Sequence, residues 1–185
     1  ADNVWWSQKG NFVDIPTDCP QRDERMGWTG DIQVFSDTAC FNADCTAFLM
    51  KFMQDVRSDQ KKLHGSVPFV SPMAGYELAG GAAWSDAATV VPWTNYVHSG
   101  DKQVLRQALP GMKDWVDYVT ADCARLGHGH LWKGAPQLGD WLALDGNSVY
   151  GGTDRDMIAT AYYYYSTVLT AKAAHVLDDV ETEKT

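Results

Sequence analysis

Seven charged residues crowd between positions 14 and 31: Asp14, Asp18, Arg22, Asp23, Glu24, Arg25 and Asp31. Pro16, Pro20, Gly27 and Gly30 interrupt them, and Trp28 stands in their midst. A solvated, turn-rich loop would account for the charges and the breakers, but not for an indole among carboxylates. Carboxylates accept paired hydrogen bonds from vicinal hydroxyls, and an aromatic face covers the C–H face of a ring. The combination therefore suits a sugar. Cleaving a glycosidic bond needs one carboxyl that keeps its proton and one that stays ionised. Crowding supplies the first, because like charge and poor solvation raise a carboxyl's pKa. Spacing alone does not say which acid plays which part. Metal binding is the rival use of such a cluster, but the histidines are remote and the calcium-loop pattern with its glycine is absent. His128 and His130 alone are too few to imply a metal site.

The elements that must carry this loop read as helices. Residues 1–31 show no sustained period and are expected to be loop, with short apolar stretches at Val4–Trp6 and Phe12–Ile15. From Gly30 a helix begins, with Ile32, Phe35, Ala39 and Cys40 on one face and Thr29 with Asp31 as cap chemistry. Cys45, Phe48, Leu49, Phe52, Met53 and Val56 mark an amphipathic helix capped by Asn42 or Asp44. A long irregular connection over 61–82 follows, of the kind that is often functional. Helical spacing resumes from Ala83 to Val97, with Pro92 expected to kink it or end a first half. Lys102–Ala108 reads as a short helix, and Pro110 as the start of another bearing Met112, Trp115, Val116, Val119 and Cys123. Residues 125–152 form a glycine-rich loop with a short strand or turn at His130–Lys133. A last helix, capped by Thr153 and Asp154, runs to Leu177 with Ile158, Ala161, Tyr162, Tyr165, Leu169 and Ala173 inward. The tail from Asp178 is expected to fray. Helices joined by long loops, without a strand run, predict an all-α array of antiparallel neighbours.

Composition narrows the partners. A net charge of −9 argues against a nucleic-acid backbone. No apolar run is long enough to span a membrane, and no signal peptide is visible at Ala1–Trp6. The chain does not start with Met, which suggests a processed or excised chain, and no compartment is assigned. The four cysteines lack zinc spacing and are expected as free thiols. No cofactor is expected.

The stretch from Asp14 to Asp31, DIPTDCPQRDERMGWTGD, resembles the signature of bacterial α-L-rhamnosidases of glycoside hydrolase family 78. Trp6-Ser7-Gln8, Asn11-Phe12, Gln33-Val34-Phe35, Thr38-Ala39-Cys40, Ala83-Trp84-Ser85-Asp86-Ala87, Val91-Pro92-Trp93 and Gly139-Asp140-Trp141-Leu142 also look like that family, in the same order. The resemblance implies an (α/α)6 barrel, an inverting mechanism and a rhamnose-containing oligosaccharide or glycoside as substrate. It aligns Glu24 with the general acid. It aligns Asp18, Arg22, Trp28 and Asp31 with the rhamnose subsite, and Trp84 and Trp141 with its aromatic walls. Packing alone would also account for the last two, Trp84 in a helix face and Trp141 in a loop. Asp23 and Arg25 read as structural, an ion pair or a cap partner.

One departure bears on activity. Residues 1–185 hold about half the helices such a barrel needs, so they read as its N-terminal half, with 14–31 as signature loop. The family's general base, a second Glu, lies beyond this sequence, and Glu77, Glu181 and Glu183 sit in stretches unlike its surroundings. The isolated chain is therefore expected not to turn over substrate. The helix carrying Tyr162–Tyr165 is expected to leave apolar surface exposed, with self-association as one outcome. Two other readings stay open: a rhamnoside-binding fragment without turnover, and a related inverting glycosidase acting on another sugar.

Overall fold

A computed structural model describes residues 2–134, 136–144 and 148–184. Parts of the glycine-rich connection at 135 and 145–147, and the two end residues of the 1–185 segment, lie outside the described residues. Among the described residues there are seven helices, no strand and three isolated bridges. They are α1 (Asp2–Asn11), α2 (Thr29–Asn42), α3 (Thr46–Lys62), α4 (Ala87–Ser99), α5 (Lys102–Leu126), α6 (Arg155–Val176) and α7 (Val180–Glu183). No helix among them is long and apolar enough to cross a membrane.

Helix α4 is the hub, packing against α2, α3, α5 and α6. Its composition explains that position, since the run Ala87–Pro92 is buried on every residue. A larger core joins Leu49, Phe52, Val91, Trp115 and Trp132; a smaller one joins Leu105, Met112, Leu169 and Ala173. Caps follow the sequence where polar residues adjoin the helix starts. Asp101 accepts from the Gln103 amide and Asp154 from Met157. Helix α3 instead starts from Cys45 without a side-chain cap, and Asp44, one residue earlier, accepts from the Thr46 amide. Gly100 and Gly127 close α4 and α5 in the left-handed conformation that glycine adopts without strain.

Several sequence expectations are corrected. Residues 2–11, read as loop, form α1. Only Gln8 of this helix is buried, so it shows no apolar period to detect. Gln8 docks α1 by donating to the Ala39 carbonyl and the Cys45 thiol, while Asn42 donates to its oxygen. Pro110 does not begin a helix but lies inside one continuous α5. It sits on the exposed side, where the carbonyl of exposed Arg106 can be hydrated, while Leu105, Leu109, Met112 and Trp115 bury the opposite side. Pro92 likewise lies within α4, which starts at Ala87 rather than Ala83. Thr29 does not cap α2; its hydroxyl donates to the Pro68 and Phe69 carbonyls. On α6, Ala161 and Tyr165 are exposed, and Ala159, Ser166, Leu169, Thr170, Ala173 and Ala174 face inward. The tail forms the short α7, capped by Asp179. All four cysteines are free thiols.

Candidate active site

Helix α1, the loop before α2, the first turns of α2, residues 83–84 and 139–141 and the start of α6 line a cleft of about 870 Å³. Four of the residues singled out from the sequence line it: Asp18, Asp31, Trp84 and Trp141. They come from four separate segments, so only the fold unites them. Glu24 stands next to this group, since carboxylate oxygens of Asp18 and Glu24 and the Cys19 sulfur lie within 4.8 Å of one another. Arg22 and Trp28 do not line the cleft.

The acidic loop is a lobe closed at its neck. The Asp18 amide donates to the Met26 carbonyl at 3.0 Å, and the Met26 amide donates to Asp18 Oδ1 at 2.9 Å. Asp18 is therefore 9% exposed, a loop-closing side chain as well as a cleft wall. Within the lobe, Arg22 pairs with Glu24 at 2.6 Å and donates to the Cys19 sulfur at 3.2 Å. Cys19 and Arg25 adopt positive φ, 30° and 46°, which bends the chain sharply enough to bring 19, 22 and 24 together. Arg25 donates to the Arg22 carbonyl at 3.3 Å instead of pairing with Asp23. Asp18, Cys19 and Glu24 could offer ligand atoms to a cation, but Arg22 already supplies positive charge to two of them.

The aromatic side is built differently. A Cβ on Gly30 would lie 2.6 Å from the Trp84 indole nitrogen, so glycine is what lets Trp84 lie against the start of α2. Trp84 also packs at a tilt on Phe69 and meets Trp141 edge-on, centroids 6.5 Å apart. Trp141 in turn packs against Tyr150, whose ring carries the Arg155 guanidinium. Trp28 lies edge-on to Tyr76, ring centroids 5.1 Å apart, with its indole nitrogen enclosed and unpartnered.

The expectation that crowding would lift one carboxyl falls on Asp31. The cleft leaves its surface open to water, yet the surrounding protein thins that water enough to raise its pKa. Like charge from Asp18 and, less strongly, Glu24 adds to the rise. Tyr162, half-buried in the same cleft, is also raised, first by burial and then by the charge of Asp86. Tyr162 and Gln33 are cleft residues to which sequence reasoning gave no role. Tyr162 lies four after Ile158 on α6, and that helical spacing was the available signal for it. Gln33 lies two after Asp31 on α2, a separation that does not share a helix face, so spacing offered no signal for it.

The model of the bacterial alpha-L-rhamnosidase 6 hairpin glycosidase domain matches residues 1–185. An alpha-L-rhamnosidase of Formosa agariphila is 41% identical over 186 residues, covering 99% of this chain and 19% of that protein. The crystal structure of Streptomyces avermitilis alpha-L-rhamnosidase complexed with L-rhamnose superimposes with a TM-score of 0.84 at 41% identity. That match covers 95% of this chain and 16% of that one. The native rhamnosidase of Aspergillus terreus gives 0.85 at 38% identity, covering 98% of this chain and 21% of that one. The chain thus spans 16–19% of the length of these curated relatives.

Proposed function

This chain belongs to the bacterial α-L-rhamnosidase six-hairpin glycosidase family, and from that premise we propose that its cleft binds a terminal α-L-rhamnosyl residue for hydrolysis with inversion. The observation that carries the proposal is the meeting of Asp18 and Asp31 with Trp84 and Trp141 in one recess, with Glu24 beside Asp18. Rhamnose presents ring hydroxyls and a C6 methyl, so it calls for acceptors and apolar walls together. Glu24 is the general acid that protonates the leaving oxygen. Asp18 and Asp31 accept from the sugar hydroxyls, and Trp84 and Trp141 cover its apolar faces. Arg22, paired with the Glu24 carboxylate, and Trp28, whose indole nitrogen has no partner, are the further members of the rhamnose subsite that the resemblance implies. Residues 1–185 constitute part of one catalytic barrel, with 14–31 as its signature loop.

An inverting reaction also needs a carboxylate about 6.5–9.5 Å from the acid to activate water. Asp18 and Asp31 are assigned to the sugar, while Asp140, the third acid lining the cleft, has no such assignment. That residues 1–185 alone bind without turnover rests on the resemblance, which implies a second Glu outside these residues as the base. Helix faces bearing Tyr164 on α6 and Phe41 on α2, which are 72% and 83% exposed, give the isolated chain a surface for self-association, measurable by sedimentation.

The test uses the full gene product that contains this chain. It should cleave an aryl α-L-rhamnoside and spare other aryl glycosides; preference for another sugar would favour a related glycosidase. Glu24→Gln should lower the rate about 10²–10⁴-fold on poor leaving groups and much less on acidic phenols. Asp31→Asn should slow both substrates alike. Equal losses for both leaving groups in Glu24→Gln would remove Glu24 from the acid's role.

A further inference from the structure

Trp84 reaches the cleft on a backbone that needs holding. The chain turns over 82–86 before α4 begins, and Ala83 within that turn has φ of 68°. This left-handed conformation disfavours a Cβ, and no glycine is there to relieve it. The Ala83 amide donates to Asp86 Oδ2 at 2.8 Å, which pins the strained residue directly. The amide before it, of Ala82, donates to Gln137 Oε1 at 2.9 Å.

Asp86 is a costly residue to place there. It is 0% exposed, and burial pushes its pKa up. Its partners are neutral donors: besides the Ala83 amide, Trp115 Nε1 on α5 donates at 2.9 Å and Ser166 Oγ on α6 at 2.5 Å, both to Oδ1. The residue occupies the N-cap position of α4 yet makes no side-chain cap bond. Its carboxylate turns back to the 83 amide instead. Three donors converging on two oxygens require a group that only accepts, which an ionised carboxylate is and an amide of the same shape is not. Asparagine would set its NH₂ against at least one N–H or O–H.

We infer that Asp86 is the positioning residue of the cleft's aromatic wall: it ties the 82–86 turn to α5 and α6 and thereby sets the Trp84 ring against Gly30. It acts on the sugar through Trp84 and touches none of it, being enclosed. The inference rests on the reading that this cleft binds rhamnose. Its neighbour Ser85 serves the same turn from the other side. The Ser85 hydroxyl donates to the Val67 carbonyl and accepts from the Gly80 and Gly81 amides, so both polar residues of Trp84-Ser85-Asp86 grip backbone.

The experiment is a double-mutant cycle in the full gene product, reading L-rhamnose Kd by calorimetry with KM and kcat on an aryl α-L-rhamnoside. Asp86→Asn should weaken rhamnose binding and raise KM about tenfold, the equivalent of one well-placed contact, with kcat changed far less. In a Trp84→Ala background the same substitution should have no further effect on Kd, because the residue it positions is gone. An unchanged Kd in Asp86→Asn, or an equal loss with and without Trp84, would overturn the inference by making Asp86 a general element of the fold. If Asp86→Asn does not fold, Ser166→Ala carries the test. It removes one donor to the carboxylate and should weaken binding about threefold, again only when Trp84 is present; no effect, or one independent of Trp84, overturns the inference. Absence of rhamnose binding by the unaltered protein overturns the cleft reading and this inference with it. Normal binding without coupling overturns the inference alone.

Discussion

The two sides of the cleft are held by opposite kinds of physics. The aromatic wall stands on buried, fully partnered polar groups: Ser85 and Asp86 are both 0% exposed, and Gly30 admits no side chain beneath Trp84. The acidic lobe stands in water. Its neck is the Asp18–Met26 pair of hydrogen bonds, and beyond that Glu24 is held by Arg22 in an ion pair whose side chains are 32% and 62% exposed. Buried hydrogen bonds resist breaking because an orphaned partner costs about 1–3 kcal/mol. An exposed ion pair contributes only about 0.2–1 kcal/mol. On the proposed reading, the wall fixes where a sugar sits, and the lobe leaves Glu24 free to exchange Arg22 for the leaving oxygen of a substrate.

Substitutions on each side separate these roles. Gly30→Ala should act most strongly, since its Cβ would fall 2.6 Å from the indole. Overpacking of this kind costs about 1–3 kcal/mol, so the thermal midpoint should fall together with rhamnose affinity. A variant with both unchanged would show the wall to be loose. Asp18→Ala opens the neck of the lobe by removing the acceptor for the Met26 amide. Its midpoint should drop only by the worth of about one hydrogen bond, about 1 kcal/mol, while kcat falls about tenfold or more. Arg22→Ala should change kcat by no more than about fivefold and rhamnose Kd by no more than about threefold, as a solvent-exposed pair allows.

The smallest effect concerns pH and stability. Asp31's pKa is raised in the folded chain, so between the ordinary carboxylate value of about 3.9 and the raised one the folded state binds more protons than the unfolded. Its contribution to stability accordingly declines as pH rises through that window. Asp31→Asn removes the decline, so the midpoint of the variant minus that of the parent should grow from pH 4 to pH 7. A constant difference across that range would mean that Asp31 titrates normally. The same substitution should weaken rhamnose binding, opposing stability to function at one side chain.

What the sequence made legible follows the same division. The helices α2, α3 and α6 declared themselves because a buried face repeats at helical spacing, as Leu49, Phe52 and Val56 do on α3. The acidic lobe declared itself by charge, proline and glycine. Helix α1 did not, because Gln8 is its one buried side chain and docking by an amide leaves no apolar rhythm. The continuity of α5 through Pro110 was hidden because packing on both sides of the proline outweighs the one lost hydrogen bond. Trp84 and Trp141 were visible as residues, but their union with Asp18 and Asp31 depends on contacts between segments distant in the chain. The role of Asp86 was out of reach for the same reason: Trp115 and Ser166, which grip it, lie 29 and 80 residues away.

The division of labour between wall and lobe is tested most directly by measuring L-rhamnose Kd and kcat side by side for Trp84→Ala and Glu24→Gln in the full gene product. The wall variant should weaken Kd about tenfold, and the lobe variant should keep Kd within about twofold while kcat on a poor leaving group falls at least about a hundredfold. Loss of affinity in Glu24→Gln, or an unaltered Kd in Trp84→Ala, would contradict it.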